Sequence, residues 1–162
     1  MASFDETLSR EEQVFNKVRE YLDSQKLRYY LSEDGAYIDY MLNLNSKLSS
    51  CRMVILPGEK DIRALGIAPI KACEDAYSDV VEFITRANYN MRLGKFEFDY
   101  SDGEIRFQTC LPCRDGLPNL KDIEITVDLP MIMLQRYGDG LVKNMLGYGD
   151  PEADIREIEG GD

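Results

Sequence analysis

The hydrophobic positions of this chain change period from about 3.6 to 2 within one stretch, Tyr77 to Leu111, and the rest can be ordered around it. Tyr77, Val80, Val81, Ile84, Ala87, Asn88 and Met91 recur at three- and four-residue spacing, which predicts a helix with one apolar stripe. Gly94 is expected to cap its last turn, with Arg92 and Lys95 beside the negative end of the helix dipole. Phe96, Phe98 and Tyr100 then alternate with Lys95, Glu97 and Asp99, and Ile105 and Phe107 alternate with Glu104, Arg106 and Gln108. Asp102-Gly103 between the runs predicts a two-residue hairpin turn joining strand 95–100 to strand 104–110. That turn sets Tyr100 opposite Ile105, Phe98 opposite Phe107 and Phe96 opposite Thr109, with Asp99 opposite Arg106 and Glu97 opposite Gln108 on the other face. An Asp99/Arg106 pair contributes only about 0.2–1 kcal/mol, so aromatic burial decides the faces.

Before this stretch, Ser9-Arg10-Glu11-Glu12 has capping-box spacing, and Val14, Phe15, Val18, Tyr21 and Leu22 make the stripe of a helix over about 10–25. Tyr29 and Leu31, then Asp34-Gly35, then Ile38, Tyr40, Leu42 and Leu44 read as a second Asp-Gly hairpin, with Leu31 facing Ile38 and Tyr29 facing Tyr40. A polar turn over 43–50, a short strand Cys51–Leu56, the turn Pro57-Gly58-Glu59-Lys60 and a strand over Ile62–Ala68 follow. After the central hairpin, Pro112–Asp122 reads as a loop and Asp128-Leu129-Pro130 as the opening of a last helix, proline being tolerated in a first turn. Met131, Leu134, Tyr137 or Gly138, Leu141, Val142 and Met145 form its stripe. Gly138 and Gly140 inside it predict close packing or a bend, and Gly147 and Gly149 end it.

The order is helix, strand meander, helix, hairpin, helix, which predicts an α+β fold: an antiparallel sheet with three helices. The division expected is a frayed N-terminus over 1–8, one domain over 9–148 and a disordered acidic tail over 149–162, since Asp150–Asp162 holds six acids and one arginine.

Composition narrows the function classes. A chain of 162 residues is long enough to bury a core without disulfides or metal. With no long apolar run and no basic-then-apolar leader at Met1–Arg10, the expected location is the cytoplasm, where four cysteines stay reduced. A net charge of −11 without a basic cluster argues against nucleic acid and against anionic membranes as partners. Histidine is absent, which removes the usual general base and the commonest metal ligand. No phosphate-cradling glycine motif occurs, so no cofactor is expected.

The spacing that invites chemistry is Cys110-Leu111-Pro112-Cys113, a candidate redox pair. A reactive pair of this kind needs its first sulfur at a helix N-terminus, and the helix-breaking Arg114-Asp115-Gly116-Leu117-Pro118 follows. A structural zinc would need two more ligands, and Cys51 and Cys73 are single residues on unrelated segments, so inert thiols are the expected reading. Glu97, Asp99 and Glu104 read as a solvated sheet face. Met131, Met133 and Met145 fit either core packing or an adaptable peptide-binding surface. Tyr30 and Tyr37 fall on the other face of their hairpin from Leu31 and Ile38, where a helix covers them or they form a contact patch.

Val81-Glu82-Phe83-Ile84-Thr85-Arg86-Ala87-Asn88, Leu93-Gly94-Lys95-Phe96-Glu97-Phe98 and Asp102-Gly103-Glu104-Ile105-Arg106-Phe107 together resemble the YbjN domain family, whose members carry an Asn in a helix, a Gly-x-Phe strand entry and a D-G-E hairpin. Arg136-Tyr137-Gly138 with Leu141 and the closing Leu146-Gly147 resemble the final helix of bacterial members. The likeness covers roughly residues 10–147. It implies a type III secretion chaperone-like fold, a twisted antiparallel sheet with helices in small, acidic, usually dimeric proteins. It carries over no catalytic residue, and Asn88 and Gly94 match positions with structural roles.

The function expected is that of a non-enzymatic, chaperone-like module that holds an extended segment of an unidentified partner protein on its sheet or helix surface. The alternatives are a redox or metal-binding protein using Cys110 and Cys113, and a regulatory partner of one fixed protein. A homodimer is expected as well: one hairpin strand lies at a sheet edge, and Phe83 and Tyr89 fall off the Val80/Ile84/Met91 line. Phe83, Tyr89, Phe96, Phe98, Tyr100, Tyr30 and Tyr37 are therefore the candidate dimer or partner surface.

Overall fold

Helix α1 (Arg10–Ser24) begins at its capping box: Ser9 Oγ accepts from the Glu12 amide at 3.2 Å and Glu12 Oε2 accepts from the Ser9 amide at 2.7 Å. The computed structural model, which describes residues 8–160, continues with strands β1 (Tyr30–Leu31), β2 (Ile38–Asn43), β3 (Ser50–Pro57) and β4 (Asp61–Ile67). Then come α2 (Tyr77–Asn88), β5 (Gly94–Phe98), β6 (Ile105–Pro112), α3 (Leu120–Met145) and α4 (Pro151–Ile158). Apart from Leu8, the lead expected to fray lies outside the described residues.

The six strands form one sheet in the order β1-β2-β3-β4-β6-β5, every neighbouring pair antiparallel. Alternation sends Ile38, Tyr40, Met53, Ile55, Phe107 and Phe96 to one face, where α3 lies against β3, β4 and β6, α1 against β3, and α2 against β5. The fold is α+β, with the described helices on one side of the sheet and none of them on its other face. Leu31 faces Ile38 as the Asp34-Gly35 hairpin predicts, with Gly35 at φ +68°.

Four expectations are corrected. The central hairpin is shifted by two residues: Phe98 faces Ile105, Phe96 faces Phe107 and Gly94 faces Thr109. The Asp99 amide donates to the Glu104 carbonyl at 2.9 Å, and Asp99 Oδ1 accepts from the Ser101 amide and hydroxyl, so the loop is four residues long with Gly103 at φ +80°. A shift of two keeps the paired side chains on their expected faces but moves Tyr100 off the strand and into the loop. Helix α2 stops at Asn88 rather than at Gly94, the left-handed residue being Asn90 at φ +70°. Gly94 instead opens β5, where a Cβ would come 2.5 Å from the Phe107 ring.

The last helix starts at Leu120, capped by Asn119, so Pro130 sits in its middle rather than its first turn. A proline there cannot donate to the carbonyl four residues back. That carbonyl, on Thr126, accepts instead from the Thr109 hydroxyl of β6 at 2.6 Å, which also explains why Thr109 is buried. Opposite Pro130 and Leu134 lies Gly66, where a Cβ would come 2.9 Å from each. Farther along α3, a Cβ on Gly140 would come 2.8 Å from the Phe83 ring, so the close packing expected at this glycine is present.

The tail expected to be disordered holds α4. Pro151 takes its first turn, Asp150 accepts from the Ala153 amide at 2.9 Å, and Ile155 is buried. Asp154 is buried too, accepting from Asn144 Nδ2 at 3.0 Å, Lys143 Nζ at 3.1 Å and the Asp150 amide at 3.0 Å. Burial works against its charge, but these donors together hold its carboxyl below the ordinary range. A charge count treats Asp154 as solvated and so misses the helix.

Asn88 caps the sheet edge at Phe96. Phe96 turns its amide and carbonyl away from β6, and the Asn88 side chain meets both: the amide donates to Oδ1 at 2.7 Å and Nδ2 donates to the carbonyl at 2.9 Å. An Asn88→Leu variant leaves both backbone groups unpaired and should lose about 2 kcal/mol, from about 1–3 kcal/mol per stranded group tempered by access of water at the edge. Urea unfolding measures this, and an unchanged midpoint would mean that the amide contributes nothing.

Candidate partner-binding surface

The helix-free face of the sheet can be read as cross-strand rows. One runs Tyr30, Asp39, Val54, Leu65, Gln108, Lys95 and the next Met41, Arg52, Ile67, Arg106, Glu97, while Leu56, Arg63 and Cys110 make a third. Val54 and Leu65 fill the centre, Leu56 and Ile67 are half-buried, and Met41 is 59% exposed. Charge is arranged around them. Asp39 accepts from Arg52 at 2.5 Å and Glu97 from Arg106 at 2.6 Å. Arg63, exposed on the central strand β4, makes no ion pair among the described residues, where the pairing arginines are Arg52, Arg86, Arg106 and Arg156. In a chain of net charge −11, Arg63 thus stands beside an apolar strip as a cation with no ion-pair partner among the described residues.

The residues singled out from sequence divide. Tyr30, 77% exposed, ends the first row, and half-buried Tyr37 precedes β2. Tyr100, 67% exposed, and half-buried Phe98 stack edge-on at 4.9 Å with Tyr77 beside them. Phe96 is buried on the helix side at 4.9 Å from Phe107 and 5.4 Å from Tyr137. Phe83 is fully buried between α2 and α3, its ring edge-on to Tyr137 at 6.3 Å, so this chain covers it without a partner. Tyr89 is 79% exposed past the end of α2. Strand β5 is an edge strand as expected, but Asn88 occupies its outward groups at Phe96. Phe83 and the edge groups of Phe96 are thus satisfied inside the chain, whereas Tyr89 stays exposed.

Cys110 is exposed on the outer face, whereas Cys113 is buried and its own backbone carbonyl accepts from Arg10 at 2.7 Å. Three positions apart on extended backbone, the two thiols face different environments, and neither heads a helix. Burial pushes both thiols up, away from a reactive thiolate. Among the described residues, no group of three or more Cys, Asp or Glu could hold a metal. Met145 is buried, and Met131 and Met133 pack half-buried against the core.

A family profile described as YbjN, "Putative bacterial sensory transduction regulator", matches residues 15–142. The chain belongs to the YbjN family. A crystal structure of YbjN from E. coli, described as "a putative transcription regulator", aligns with a TM-score of 0.54 at 12% identity, covering 76% of this chain and 92% of that one. At that identity the likeness shows the fold alone. No curated protein matches significantly. In this YbjN chain the motif residues shape the backbone: Asn88 caps the β5 edge at Phe96, Gly94 lets β5 approach Phe107, and Asp102-Gly103 turns the hairpin. The matched region ends before α4. No described helix is long and apolar enough to cross a membrane.

The outer-face residues Arg63, Leu65 and Met41 were not singled out from sequence. Period-two alternation in Arg52-x-Val54-x-Leu56 and Arg63-x-Leu65-x-Ile67 marks Arg63 and Leu65, and Asp39-x-Met41 on β2 marks Met41; it becomes informative once the described helices are all found on the other face.

Proposed function

We infer that this protein is a non-enzymatic binding module whose open sheet face holds a segment of a partner protein, in the manner of a chaperone. The observation that carries this is the Val54/Leu65 strip on the outer sheet face, with Arg63, which makes no ion pair among the described residues, on one side of it and exposed Met41 on the other. The segment it suits has apolar residues and a carboxylate that reaches Arg63. The absence of histidine from the sequence supports a binding role over acid–base catalysis. A regulatory role toward one fixed protein is the second reading, favoured by the family description. Self-association, where it occurs, would use this same face, since Phe83 is covered and the β5 edge is closed at Phe96.

The test is suppression of aggregation of a chemically denatured client, followed by light scattering. The wild-type chain should suppress at near-stoichiometric ratios, and a Met41→Glu/Arg63→Glu variant with unchanged circular dichroism should need about tenfold more protein, the equivalent of about 1.4 kcal/mol. Equal suppression by both would refute the sheet face. No suppression by either would favour the fixed partner.

A further inference from the structure

On the helix side of the sheet, independent of the face just described, a cleft of about 430 Å³ opens where the end of α2, the start of β5 and the middle of α3 meet. Ala87 and Phe107 form its buried apolar wall, and Leu129 and Met133 extend that wall half-buried along α3. Two exposed arginines, Arg92 and Arg136, stand at its mouth. Neither forms an ion pair among the described residues, although acids outnumber bases by 30 to 19 in the sequence. Arg136 is placed by the ring of Tyr137, 5.5 Å from its centroid, and the Tyr137 hydroxyl donates to Glu159 at 2.9 Å.

We propose that this cleft binds a small amphipathic monocarboxylate, its head held by Arg92 and Arg136 and its apolar body against Leu129 and Met133. Three observations select that class. The volume falls within the range of roughly 300–1,000 Å³ usual for small-molecule sites. Two unpaired guanidiniums match a carboxylate head, and the carboxylate of Glu159 on the same rim opposes a second negative charge. A peptide adding as a strand at this corner would need the outward groups of β5, and Asn88 already holds those at Phe96. The apolar wall, in turn, gives inorganic phosphate nothing to match.

The experiment titrates octanoate, below its micellar range, into the full chain by calorimetry, with octan-1-ol and inorganic phosphate as controls and the Met133 methyl resonance as a local reporter. One saturable site is expected, shifting the Met133 methyl, about tenfold weaker or more in each of Arg92→Gln and Arg136→Gln, and about tenfold weaker or more for the alcohol, since a charge-assisted hydrogen bond is lost in each case. Phosphate should not compete. Arg63→Glu should bind octanoate as the wild type does, so failure of the sheet-face reading leaves this result unaffected. No saturable binding, equal binding in the double arginine variant, competition by phosphate, or a shift that spares Met133 would each overturn the proposal. Both arginines are exposed, so these variants are expected to fold, which circular dichroism checks.

Discussion

Replacing Gly103 by valine is expected to remove about 3 kcal/mol of stability and to lower the melting temperature by about 6–12 °C in a chain of this size. Two effects add. Gly103 sits at φ +80°, which a β-branched residue adopts only under strain, and a Cβ there would meet the Ala72 carbonyl at 2.8 Å and the Tyr77 hydroxyl at 3.1 Å. The same loop receives a hydrogen bond, the Ala72 amide donating to the Gly103 carbonyl at 3.0 Å, so movement that relieves the clash weakens that bond. Gly35→Val is the control. It lies at φ +68° with nothing within 4 Å of its Cβ position, and should carry only the backbone strain of about 1–2 kcal/mol. Thermal unfolding of the pair separates conformation from packing, and equal melting temperatures would show that the Ala72 contact is unimportant.

Phe83→Ala should be the costliest single truncation, about 3–5 kcal/mol, because the ring is fully buried and Gly140 has no side chain with which to fill the void. Denaturant unfolding reads that loss. Light scattering at micromolar protein in moderate salt adds a second reading, since a Phe83 that served a subunit interface would change the mass of the particle when truncated. We expect lower stability with unchanged mass. A change in mass with little loss of stability would return Phe83 to an interface.

What the sequence made legible was what local chemistry determines. Ser9 and Glu12 fix the start of α1, and Asp34-Gly35 fixes Leu31 against Ile38. In the central hairpin the faces were legible and the register was not, because alternation has period two and a shift of two residues leaves it intact. Asp99, as acceptor from Ser101, made the longer loop, a competition that the Asp-Gly pair alone does not reveal. Pro130 misplaced the start of α3 because its mid-helix cost is offset by Thr109, a residue on another strand. The sheet order was illegible for a related reason: alternation says which face a side chain takes and is silent on which strand lies alongside. As for sites, the exposed tyrosines were visible as off-pattern residues, whereas the cleft draws Ala87, Arg92, Phe107 and Arg136 from separate segments that only tertiary packing brings together.

The neighbours in the sheet also set an order of events during synthesis. Strands β1 to β4 follow one another through short turns, but residues 61–67 of β4 must pair with residues 106–112 of β6, and the face they share with β3 is covered by α3, which begins only at Leu120. As the chain leaves the ribosome, the first four strands are therefore expected to precede the partner of β4 and the helix α3 that covers their apolar face. The β4–β6 pairing joins segments far apart in sequence, so it is expected to form late, and strand exchange between neighbouring chains is expected to be easiest before it does. Arg52 on β3 and Arg63 on β4, one basic residue within each apolar strand, place charge on that meander where a gatekeeper against aggregation would stand.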